Sequence, residues 1–140
     1  MLRFVLLSFV LISVPLIAQT NSASNATPHT QVPVISADLG PCSAEFTVTS
    51  TRGKAIYNAK IAVEVKYGFG GFHKTALEIF TNTDGRARVE GLPVKGKRPL
   101  SFDVTYEGRA TTVVVDPAQK CNGTYSAIVS DKVVAGDSEQ

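Results

Sequence analysis

The residues of this 140-residue chain that could do chemistry are few. His29 and His73 are its only histidines, the side-chain type that titrates near neutrality without help from its surroundings. General-base catalysis needs such a group held against a positioned partner. His29 lies in a Ser-, Thr-, Asn- and Pro-rich stretch that holds nothing in geometry, so His73, between Phe72 and Lys74, is the single usable base. No Gly-x-Ser-x-Gly elbow accompanies it. The carboxylates Asp84, Asp103 and Asp116 belong to separate turns and strands. Asn82-x-Asp84-Gly85 supplies only half of a calcium loop, without the later bidentate glutamate. Gly68-Phe69-Gly70-Gly71 has neither the spacing nor the following helix of a phosphate-binding loop. These residues predict no catalytic set, no metal and no cofactor. The reading is of a chain that is not an enzyme, with a small secreted hydrolase using His73 as base as the alternative.

Two other features bear on function. Cys42 and Cys121, the only cysteines, are 79 positions apart. In an exported chain such a pair is expected to form a disulfide. Tyr67, Phe69 and Phe72, followed by His73, stand on a run containing three glycines. Aromatics carried on a loop favour recognition, so this run is the candidate binding loop for a protein or a glycan. The competing reading folds Phe69 and Phe72 down to cap the end of the domain. Lys74, Arg86, Arg88, Lys95, Lys97 and Arg98 could form a basic rim suited to an acidic glycan or a phospholipid headgroup, or could be an ordinary solvated face.

The elements that would position these groups follow from composition and periodicity. Residues 4–17 are free of charge and follow a single Arg3. The run is too short to cross a bilayer and ends in small polar residues, as a signal peptide does. The domain boundaries expected are a signal peptide over 1–18, a disordered linker over 19–41, a folded domain over 42–131 and a flexible tail over 132–140. A secreted or periplasmic location follows, with no stable membrane insertion after cleavage. Asn25 and Asn122 fit the N-glycosylation pattern, which matters only in a cell that glycosylates. Fourteen basic against twelve acidic side chains give +2, too near neutrality for a nucleic-acid partner.

Beyond position 43 the apolar residues recur with period two, and Val, Ile, Thr, Phe and Tyr are frequent. Strands are expected over 44–49, 60–67, 74–81, 86–90, 100–106, 110–116 and 124–130. Gly53 marks one turn, and Asp84-Gly85 a tight hairpin between the third and fourth strands. Seven short strands with regular turns predict an all-β fold, a seven-stranded antiparallel β-sandwich.

The segment Arg52-Gly53-Lys54-Ala55-Ile56-Tyr57-Asn58-Ala59-Lys60-Ile61-Ala62-Val63, with Thr81-Asn82-Thr83-Asp84-Gly85-Arg86-Ala87-Arg88-Val89 and Gly91-Leu92-Pro93, resembles the carboxypeptidase regulatory-like domain family. The resemblance covers about residues 42–130. It implies a transthyretin-like, Ig-like sandwich and a non-enzymatic module that interacts with a partner or gives structural support in the cell envelope or outside the cell. The sequence departs from the family's pattern at Ala55, where proline is usual, and at Ala87, where an aromatic is usual.

Overall fold

The computed structural model describes residues 30–96 and 98–131. Among the described residues eight strands form two sheets: β1 (Val34–Ser36), β2 (Cys42–Ser50), β3 (Lys60–Tyr67), β4 (His73–Phe80), β5 (Arg86–Leu92), β6 (Leu100–Tyr106), β7 (Arg109–Val115) and β8 (Asn122–Val129). One sheet has the order β1-β5-β2-β8 and the other β4-β3-β6-β7. The all-β, two-sheet architecture agrees with the alternation in the sequence. Its strand count and pairing do not.

The expected strand count of seven is corrected to eight by β1, which falls inside the stretch expected to be a disordered linker. A strand of three residues is too short to carry a period of its own. It forms because its neighbour supplies the partners: β1 pairs in parallel with β5, and Pro33 O accepts from Arg88 N at 2.9 Å while Ala37 N donates to Glu90 O at 2.9 Å. The all-antiparallel expectation is corrected by a second parallel pair, β2 with β8. The Asp84-Gly85 turn is also not a hairpin between paired strands, because β4 and β5 lie in different sheets. It carries the chain from one sheet to the other. The reason lies just before it, where Thr81 and Asn82 are buried and hydrogen-bonded. Thr81 Oγ1 donates to Ile56 O at 2.7 Å and accepts from Ala59 N at 2.9 Å, and Asn82 Oδ1 accepts from the Asp84 and Arg86 N–H groups.

Replacing Thr81 with Val keeps the volume but orphans a buried carbonyl and a buried N–H. The expected loss is about 1–3 kcal/mol in urea denaturation. A midpoint equal to that of the wild type would show that the two bonds contribute nothing.

The core lies between the sheets, where the inward positions of the strands meet. Phe46 and Phe102 pack against each other across it, tilted by 45° with ring centroids 4.7 Å apart, and Tyr125 lies 5.9 Å from Phe46. Ala87 and Val89 point into this core as the alternation predicts. Phe46 and Phe102, both fully buried, fill the interior in which the small Ala87 also packs. The disulfide Cys42–Cys121 is formed, at the start of the parallel β2/β8 ladder that opens with Ser43 opposite Asn122. At the other end Thr51 Oγ1 donates to Asp131 at 2.7 Å. That bond, with Ser50 and Arg52 beside it, holds the Asp131 carboxyl below the usual carboxylate range. The contribution is therefore present above the unfolded carboxylate pKa and lost as pH falls through the lowered folded value.

The expected signal peptide, residues 19–29 of the linker, His29, Asn25, Lys97 and the tail lie outside the described residues. Among the described residues no helix is long and apolar enough to cross a membrane.

Candidate functional site: the aromatic hairpin tip

The run singled out in the sequence becomes the tip of the β3/β4 hairpin. The two strands pair from Lys60 opposite Phe80 to Tyr67 opposite His73. The ladder between β3 and β6 stops at Val63 opposite Phe102. The distal rungs of the hairpin are thus a two-stranded ribbon that outruns its sheet. At its tip the chain makes one 3-10 turn, Phe69–Gly71, closed by Gly71 N donating to Gly68 O at 3.2 Å. Gly70 has a φ of 72°, in the left-handed region, and this is why the turn needs glycine there.

Phe69 is 97% exposed and Phe72 83% exposed. Neither folds down to cap the sandwich. Tyr67 and His73 stack with ring centroids 5.5 Å apart and planes 27° from parallel. This is the described contact of His73, and among the described residues no side-chain hydrogen bond reaches its imidazole. A hydrolase using His73 as base would need a positioned partner for that ring, and among the described residues the side chain set against it is the stacked Tyr67. Among the described residues no group of three His, Cys, Asp or Glu side chains is close enough to hold a metal.

The basic residues do not gather into one rim. Lys74 sits on the hairpin, 3.5 Å from Glu64 and directly across the ladder from Lys66. Lys95 and Arg98 are exposed on the β5–β6 loop. Because β6 runs antiparallel to β3, this loop lies at the same end of the sandwich as the hairpin tip. Arg86 and Arg88 stand elsewhere, on the outer face of the other sheet. Arg86 pairs with Glu45, whose carboxylate holds its guanidinium pKa above the ordinary value, first through hydrogen bonding and then through charge. Arg88 lies 2.7 Å from Glu90 in an ion pair that lacks hydrogen-bond alignment. The tip end therefore collects Lys66, Lys74, Lys95 and Arg98, and the two arginines of β5 serve local pairing. Sequence reasoning missed Lys66, although its place in the alternation of β3 puts it on the outer face with Glu64.

No protein-family model matches the chain, and no curated protein matches it. Solved structures do match. Chlorocatechol 1,2-dioxygenase from Pseudomonas putida is similar at 14% identity and a TM-score of 0.44, over 71% of this chain and 67% of that one. Catechol 1,2-dioxygenase from Pseudomonas arvilla C-1 is similar at 12% identity and a TM-score of 0.49, over 76% of this chain and 60% of that one, so this chain spans less than two thirds of it. The dioxygenase domain of a dioxygenase carbohydrate-binding protein fusion from Streptomyces sp. SirexAA-E is similar at 14% identity and a TM-score of 0.46, over 71% of this chain and 90% of that one.

These likenesses concern the fold alone, and what those proteins catalyse is said of them. They nonetheless correct the expectation of a non-enzymatic interaction or support module, and with it the expectation that the chain is not an enzyme. The matches named above are to dioxygenases and a dioxygenase domain. The fold offers no ground for a non-catalytic assignment.

Proposed function

We propose that this domain attaches reversibly to an anionic lipid surface through the end that carries the aromatic hairpin. The observation that supports this reading is the near-complete exposure of Phe69 and Phe72 on a ribbon that projects past its own sheet. A convex tip of this kind encloses no small molecule. It suits a soft apolar layer beneath charged headgroups. Burying one phenylalanine side chain stabilises by roughly 1.5–3 kcal/mol. Each lysine or arginine near an anionic surface adds roughly 1 kcal/mol, which Lys66, Lys74, Lys95 and Arg98 are placed to provide. The sum, roughly 7–10 kcal/mol, exceeds the about 5.5 kcal/mol of one myristoyl chain, whose attachment alone is marginal and reversible.

Two finer expectations belong to the same reading. One is export directed by residues 1–18 to a secreted or periplasmic location, which the Cys42–Cys121 disulfide supports. The other is kinship with carboxypeptidase regulatory-like domains, which the segments over 52–63 and 81–93 support.

Co-sedimentation with phosphatidylcholine vesicles, and with mixed phosphatidylcholine and phosphatidylglycerol vesicles, tests the proposal. The wild type is expected to pellet with the anionic vesicles and to be released by salt. Phe69→Ser with Phe72→Ser is expected to weaken that binding by at least about 100-fold with an unchanged melting temperature, since neither ring is packed. Failure of the wild type to pellet with either vesicle, or equal binding by the double variant, overturns the assignment.

A further inference from the structure

Along β4 from the hairpin tip, at Phe80, the chain forms a cleft that the proposed attachment does not use. It has a volume of about 500 Å³ and lies between the N-terminal arm and the end of β4. That is within the range of small-ligand sites. Val34 from the arm, Tyr57 from the β2–β3 connection and Phe80 from β4 line it with 55%, 49% and 45% exposure, beside Gln31, Asn58 and Asn82.

The walls are built before any ligand arrives. Asn82 Nδ2 donates to Thr30 O at 3.0 Å and to Gln31 O at 3.3 Å, which pins the arm. Asn58 N donates to Thr81 O at 3.0 Å, tying the Tyr57 segment to the end of β4. Asn58 holds a φ of 61°, in the left-handed region that a non-glycine residue enters at some cost.

Apart from Tyr57, no ionisable side chain lines the cleft, so a bound ion would find no counter-charge there. Two half-exposed rings offer flat apolar faces, while the carboxamides of Gln31 and Asn58 carry both donors and acceptors. A ligand that complements this lining is uncharged, has a C–H-rich face for the rings and has hydroxyl groups at its edge. We infer that the Tyr57/Phe80 cleft is a binding site for a neutral saccharide. His73 and Phe80 are separated by roughly 23 Å of strand, so this site and the hairpin tip can fail separately.

Titration of the isotopically labelled chain with cellobiose and maltose, followed by amide chemical shifts, is the test. Galacturonate serves as the anionic control and p-cresol as the purely aromatic one. One neutral disaccharide is expected to move the amides of Asn58, Phe80 and Asn82 with a millimolar-range Kd, about −4 kcal/mol, and galacturonate is expected to bind more weakly. Tyr57→Ala and Phe80→Ala, both at exposed positions, are each expected to weaken binding about tenfold, or roughly 1.4 kcal/mol. No shift with either disaccharide overturns the inference, as does binding that both variants retain. Saturation by p-cresol without saccharide binding overturns the saccharide class.

Discussion

Reduction of the Cys42–Cys121 disulfide is expected to lower the stability of the domain by roughly 4–5 kcal/mol, the chain-entropy value for a closed loop of this length. The two cysteines are 79 positions apart. The strands they open, β2 and β8, pair in parallel. No short turn can bring parallel neighbours together, so nothing local limits the search of the unfolded chain for this register. The bridge does so directly. It lies beside the first ladder positions, where Ser43 N donates to Cys121 O at 2.7 Å, and Cys42 is fully buried. A domain of about 100 residues has a total stability of about 5–15 kcal/mol, so this one bond accounts for a large part of it. At about 4–8 °C per kcal/mol the melting temperature should fall by roughly 15–40 °C. Melts with and without a phosphine reductant, and of a chain carrying Cys42→Ala with Cys121→Ala, check this. Melting within about 5 °C of the oxidised protein would mean that the reduced chain already holds the ends of β2 and β8 together.

What the sequence revealed depends on how local each determinant is. β3 is legible to its ends because Ile61, Val63 and Val65 alternate with Lys60, Glu64 and Lys66 over a full strand, and burial follows that alternation. β1 is illegible because its stability resides in Arg88, Val89 and Glu90, some 54 positions away. Asp84-Gly85 announces a turn correctly, but a turn signal does not say which sheet receives the next strand. Here the buried side chains of Thr81 and Asn82 decide it. The candidate site divides in the same way. Its aromatic and glycine residues are contiguous and stand out in the sequence. Whether they cap the domain or leave it depends on where β6 stops pairing with β3, a relation between segments about 40 positions apart. The Tyr57/Phe80 cleft gathers residues from three separate segments, so no local pattern marks it.

The same turn carries the second large effect. Gly85→Ala is expected to destabilise the domain by roughly 2–5 kcal/mol, from about 1–2 kcal/mol for a side chain in the left-handed region and a further 1–3 kcal/mol for breaking a buried backbone bond. Gly85 has a φ of 72°, and a Cβ built on it would collide with the carbonyl oxygen of Val48 while lying 3.2 Å from Ile56 N. That carbonyl cannot withdraw freely, because it accepts from Ile56 N at 3.0 Å, and Val48 N donates to Gly85 O at 2.7 Å. Both obstacles are backbone, held in a ladder that joins β2 to the sheet-crossing turn. Gly53 provides the internal control. Its φ is 76°, yet a Cβ there meets nothing within 4 Å. Gly53→Ala should therefore cost only the conformational part, about 1–2 kcal/mol. Urea denaturation of the two variants separates the contributions, since backbone conformation is common to both and the collision belongs to Gly85 alone. Equal losses would place the whole effect in φ and remove the steric role assigned to the Val48 carbonyl. A larger loss for Gly85→Ala identifies the close approach of two backbones, and not the turn geometry, as the reason that position must be glycine.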